Sequence, residues 1–193
     1  MGGQMAYLFL AGMMGCGKTT LGKAVAKWLD VPFYDLDELI AKRRKVSIRR
    51  IIETEGWDGF RDSEIIELKQ LMNEAPGIVA LGGGTLESAE AVKIIKDNGE
   101  SIFIDVSTDQ LANRIGLDTS RPLLKNCKSI EDVSKNLQSI WDSRVDTYKN
   151  CDYRLQINAD ELLEHSIGKI KVLINKIKLP EILKSQRTRI EPN

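Results

Sequence analysis

GMMGCGKTT, residues 12–20, is the stretch that decides how this 193-residue chain folds. Gly12, four further residues, Gly17, Lys18 and Thr19 spell a phosphate-binding loop, preceded by the apolar run AYLFL at 6–10 and followed by helical periodicity. The residue types follow from the chemistry. A polyphosphate lies against backbone N–H groups, so the loop must turn sharply and carry little bulk at Gly12, Gly15 and Gly17, with Cys16 the small residue between them. Lys18 reaches the β and γ phosphates, Thr19 is a ligand for Mg²⁺, and Thr20 continues a helix whose positive end meets the anion. The motif specifies ATP and leaves the acceptor open.

Working outward, the chain alternates short apolar runs with amphipathic segments. Strands are expected at 6–10, 33–35, 78–81, 101–106 and 152–157. Helices are expected at 18–29, 36–45, from Ser47 to a stop at Gly56, and at 60–75, 87–97, 108–115, 130–149 and 161–177. This pattern predicts an α/β fold of the P-loop NTPase type: a three-layer sandwich with a five-stranded parallel sheet flanked by helices, as in small-molecule and nucleoside monophosphate kinases. One kinase domain accounts for residues 1–177, and residues 178–193 lose periodicity and read as a flexible tail.

Composition narrows the partners. The 28 basic and 28 acidic residues cancel, which argues against nucleic acid and membrane surfaces. Three cysteines, Cys16, Cys127 and Cys151, without a CxxC pair suit a reducing compartment. No run approaches the length of a membrane span, and no apolar stripe is left uncovered, so a monomer is expected. The basic run KRRK at 42–45 reads as a solvated helix end.

In a parallel sheet ligands bind beyond the carboxyl ends of the strands, where Asp35, Asp37 and the run Gly82, Gly83, Gly84 all fall. The two acids suit a hydroxyl, a metal-bound water or a transferable proton, and Arg61 and Arg144 offer planar forks for a carboxylate or phosphate. A polar, turn-rich segment at about 112–125 with Arg114 and Arg121 reads as a lid over the nucleotide. The acceptor is therefore expected to carry hydroxyls and one anionic group.

These motifs resemble the shikimate kinase family over residues 6–177: GMMGCGKTTLGK at 12–23, YDLD at 34–37, FRDSE at 60–64, ALGGGTL at 80–86, SRPLL at 120–124, and the pair Arg144 and Tyr148. The resemblance implies transfer of the ATP γ-phosphoryl group to the 3-hydroxyl of shikimate in aromatic amino acid biosynthesis, in a cytoplasm or a plastid stroma. It implies Asp37 as acceptor ligand and base, Asp35 with Thr19 at Mg²⁺, and Arg61 and Arg144 on the shikimate carboxylate. Gly82, Gly83 and Gly84 would face the ring hydroxyls, Arg121 would close on the transferring group, and Arg114 would pack against adenine. Trp57 stands where the family frequently has an acidic residue, and the gap from Tyr148 to Asp152 is short. Another small-molecule kinase, of the gluconate type, and a non-catalytic binding protein on the same fold are the alternatives.

Overall fold

Tyr7–Ala11 (β1) is buried along its whole length, as a central parallel strand covered on both faces must be. The structure, a computed structural model, describes residues 7–118, 121–158 and 161–177. Ala6, Thr119, Ser120 and the expected tail at 178–193 lie outside the described residues. β1 pairs in parallel with Ile78–Ala80 (β3) on one side and Gly99–Asp105 (β4) on the other. Phe33–Asp35 (β2) extends the sheet beyond β3, and Tyr153–Gln156 (β5) extends it beyond β4, giving the order 2-3-1-4-5. The chain leaves β1 toward one edge, returns through β3, and crosses to the other side at β4. That reversal opens a crevice beyond the carboxyl end of β1, where the phosphate loop sits.

Seven helices cover the sheet among the described residues: Lys18–Leu29 (α1), Leu36–Arg44 (α2), Ile48–Leu71 (α3), Ala89–Asn98 (α4), Thr108–Ile115 (α5), Ile130–Lys149 (α6) and Leu163–Lys176 (α7). α1 packs on β3 and α7, α7 on β5, α4 on β4, and α5 on α6. Ser47, Ser88, Ser107 and Ser129 each accept a backbone N–H at a helix start, and Ser129 completes a capping box with Asp132.

Several expectations need correction. Gly56, at φ 76°, does interrupt the helix begun at Ser47, but helix resumes at once, so Arg61 and Glu64 sit mid-helix rather than in a first turn. Helical structure begins after Ser88, whose side chain caps α4, and Glu87 belongs to the 3-10 turn Thr85–Glu87. β4 starts at Gly99, two residues early, because Tyr7 pairs with it. α5 does run through Ile115 as expected, so the first residues of the expected lid, 112–115, belong to that helix. The basic run is not merely solvated. Arg43 grips the buried Glu67 carboxylate through two N–H groups at 2.6 and 3.1 Å, and Arg44 reaches Ser63 and Glu55. These contacts lock α2, which carries Asp37, onto α3, which carries Arg61.

Gly22 shows how closely α1 lies on the sheet. A methyl there would run into the Phe33 ring and come within 3.2 Å of Leu10 Cδ1. Alanine favours a helix by about 1 kcal/mol, but forcing a methyl into a filled site costs about 1–3 kcal/mol. Gly22→Ala is expected to lower stability in denaturant unfolding; a rise in stability would show that α1 has slack against β2.

Candidate active site

The phosphate loop is shaped by backbone. Gly12, Gly15 and Gly17 take φ of 141°, 75° and 102°, values that side chains resist, and a methyl on Gly12 would approach Ile104 O to 2.6 Å. Gly17 caps α1 without a side-chain acceptor, leaving the first N–H groups of the helix directed at the loop. Lys18 Nζ folds back to donate to Gly12 O at 2.8 Å and Met13 O at 3.1 Å. Thr19 Oγ1 donates to Asp35 Oδ2 at 2.7 Å, and the other Asp35 oxygen caps α2 at Glu38 N. Cys16 is buried and is not part of a disulfide.

Beside this phosphate cleft lies a second, smaller cleft, with a cavity volume of about 120 Å³. Its polar wall is Asp37, Arg61, Arg144, Arg121 and the three glycines, and its apolar wall is Ile48, Ile52, Trp57 and Phe60. Met14, Asp37, Gly83 and Arg121 line both clefts, so the two open into each other. Arg121, held by Asp118 at 3.1 Å, is thus placed at the junction. Arg114 is exposed at the end of α5 and lines neither cleft.

The glycine run divides its duties. Side chains at Gly82 or Gly84 would collide with the protein's own charges: Glu64 and Asp37 at the first, Arg61 and Glu87 at the third. A methyl on Gly83 would meet only ordinary van der Waals contacts, with Arg144 Nη1 nearest at 3.6 Å, so the middle glycine is the one that the protein's own side chains do not crowd. The buried Tyr148 hydroxyl donates to Gly83 O, and its ring stacks on Phe103 at 5.0 Å. Sequence reading named Tyr148 only as a companion of Arg144; here it fixes the glycine run.

Arg61 and Arg144 converge from α3 and α6. Arg61 donates to Glu64 and, at 2.7 Å, to Glu87, and its guanidinium lies 5.7 Å from both the Trp57 and Phe60 ring centres. Arg144 donates to Glu87 through Nε at 3.0 Å and Nη2 at 3.4 Å. Thr85 donates to the buried Glu64 carboxylate. Sequence reading missed Glu87; the only signal was its position three residues after the glycine run, which has meaning only once the turn Thr85–Glu87 is known.

Asp37 Oδ1 is buried without a hydrogen-bond partner. Burial, with the Glu64 and Asp35 carboxylates adding repulsion, pushes its pKa up to about 6, against the pull of Lys18 and Arg61. That places a proton acceptor near neutral pH at the junction of the two clefts.

A strand-loop-helix phosphate site opening into a carboxylate-and-arginine cleft defines a P-loop phosphotransferase that acts on a small molecule. The comparisons name the branch: the shikimate kinase family model matches residues 14–174. The chain is 37% identical over 181 residues to the shikimate kinase of Trichormus variabilis, covering 94% of each chain. A shikimate kinase from Acinetobacter baumannii in complex with shikimate superposes with a TM-score of 0.80 at 29% identity, covering 90% of this chain and 96% of that one. The chain belongs to the shikimate kinase family, whose members are ATP-dependent phosphotransferases. A gluconokinase from Sinorhizobium meliloti, with a TM-score of 0.54 at 15% identity over 97% of this chain and 96% of that one, shares the fold alone.

Asp37 gives the site a measurable signature. Its folded pKa is raised above the ordinary value of 3.8, so the native state holds a proton that the unfolded chain has lost. The associated stability is complete below the unfolded pKa and is lost as pH rises through about 6. Asp37→Asn is expected to stabilise the unliganded protein at pH 8 by on the order of 1–3 kcal/mol while removing most turnover. In the wild type kcat/KM should rise with pH through about 6. A stability difference that stays flat between pH 4 and pH 8 would show that Asp37 is not desolvated.

Proposed function

We propose that this chain transfers the γ-phosphoryl group of ATP to the 3-hydroxyl of shikimate, giving shikimate 3-phosphate and ADP, with Mg²⁺ required. The observation that supports this reading best is the shared wall. Asp37, Gly83 and Arg121 line both the phosphate cleft and the cleft holding Arg61 and Arg144, so an acceptor anchored at the arginines reaches the phosphate chain through Asp37.

The residues divide the work. Arg61 and Arg144 take the acceptor carboxylate and orient the ring, which lies against Trp57, Phe60, Ile48 and Ile52. Asp37 accepts a hydrogen bond from the reacting hydroxyl and takes its proton as the oxygen bonds to phosphorus and the bond to the ADP oxygen breaks. Lys18 leaves the loop carbonyls for the phosphate oxygens, and Arg121 offsets the charge that spreads over the transferring group. Asp37 thus removes the proton, and the loop and arginines stabilise the charge.

The oxygen donors present fit magnesium. The Thr19 hydroxyl and Asp35 carboxylate form a hard oxygen pair, and no group of three or more His, Cys, Asp or Glu side chains that could hold a metal occurs among the described residues. Such a partial set suits an ion that takes its remaining ligands from phosphates and water. When bound, Mg²⁺ supplies charge neutralisation on the β and γ phosphate oxygens. Among the described residues no helix is long and apolar enough to cross a membrane. Free cysteines suit the reducing interior of a cytoplasm or plastid stroma, and a monomer is the oligomeric state proposed.

The test is a coupled assay of ADP release from MgATP on the purified chain, with shikimate, with gluconate and with neither. Shikimate-dependent release that disappears in Lys18→Ala is expected. Faster release with gluconate would overturn the acceptor, and ATP binding without turnover on either compound would make the chain a binding protein.

A further inference from the structure

Glu87 does something the transfer reaction does not call for. Its carboxylate joins the two arginines that are proposed to receive the acceptor's carboxylate, accepting from Arg61 Nη2 at 2.7 Å and from Arg144 Nε at 3.0 Å. It reaches them from the short turn Thr85–Glu87 that follows the glycine run, beside Gly84, which lines the acceptor cleft. Its geometry toward Arg144 is the two-point grip of an arginine with a carboxylate, Oε1 on Nε and Oε2 on Nη2 at 3.4 Å, while Oε2 also takes Arg61.

Two guanidinium groups that converge repel each other, and Arg144 is nearly buried, its side chain 9% exposed. An anion between them offsets both costs. Glu64, fully buried and engaged by Thr85, serves Arg61 alone and cannot perform this bridging. The Glu87 side chain is 36% exposed, so it has solvent to move into, whereas the Arg61 and Arg144 side chains are only 19% and 9% exposed.

We propose that Glu87 is a resident stand-in for the acceptor's carboxylate: it holds Arg61 and Arg144 together in the empty enzyme and is displaced when a carboxylated acceptor binds. The inference rests on the reading of the two arginines given above. Glu87 is then a positioning residue that lowers the apparent affinity for shikimate, because the incoming carboxylate must compete with one already in place. A ligand without a carboxylate gains nothing by displacing it.

The experiment compares the wild type, Glu87→Gln and Arg144→Met by steady-state kinetics in shikimate and in MgATP, and by thermal unfolding with and without shikimate. Glu87→Gln keeps the side-chain volume and removes the charge. It is expected to lower the shikimate KM by about threefold or more, to change kcat by less, and to leave the MgATP KM in place. Its unliganded Tm should fall, and its Tm rise on adding shikimate should exceed that of the wild type. A merely structural glutamate would lower Tm equally with and without shikimate, which would overturn the proposal. An unchanged or raised shikimate KM in Glu87→Gln, with Arg144→Met raising that KM, would overturn the stand-in role and leave the arginine reading intact. An unchanged shikimate KM in Arg144→Met would overturn the arginine reading and the proposal with it.

Discussion

The Arg61 guanidinium is the point on which the acceptor cleft depends. It lies 5.7 Å from the centres of both the Trp57 and Phe60 rings, which pack edge to face on each other, and donates to Glu64 and Glu87, so four side chains surround one planar cation. Through Glu87 it is tied to Arg144 on α6, and through Glu64 to Thr85 in the turn after the glycines. The Arg43–Glu67 and Arg44–Ser63 contacts hold α2 on the same helix that carries Arg61, so Asp37 is placed relative to Arg61 by a salt-bridged helix pair. Positioning, which supplies most of what phosphoryl transfer needs, here begins with helix packing.

The site is arranged against its own stability. Asp37 is buried with an oxygen lacking a partner, and two further carboxylates add repulsion. Lys18 spends its donors on loop carbonyls, and Thr19 on Asp35. Lys18 and Thr19 are thus engaged within the protein, whereas the buried Asp37 oxygen has no such partner. The sheet tolerates this because β1 and β3 at its centre are fully buried and apolar.

Much of this was legible in the chain. The glycine spacing and Lys18 placed the phosphate loop, and the alternation of apolar runs with amphipathic segments, one of them opening at Ser47, placed the helices. Asp35, Asp37, Arg61, Gly82–Gly84 and Arg144 do meet at one end of the sheet, as expected from strands that all point the same way. Sequence could not show that Gly82 and Gly84 are required by neighbouring protein charges, since those neighbours arrive from α3 and from the following turn. It also missed Glu87 and the α2–α3 salt bridges, because both depend on which faces of distant helices meet. Charge runs read one residue at a time look solvated, and only packing reveals their partners.

The most direct measurement is a crystal structure of the chain with shikimate and ADP bound. The shikimate carboxylate is expected within hydrogen-bond distance of Arg61 and Arg144, with the 3-hydroxyl on Asp37 and directed toward the phosphate loop. A ring bound in the opposite sense, with its carboxylate at Lys18 or Arg121 and no contact to Arg61 or Arg144, would contradict this placement.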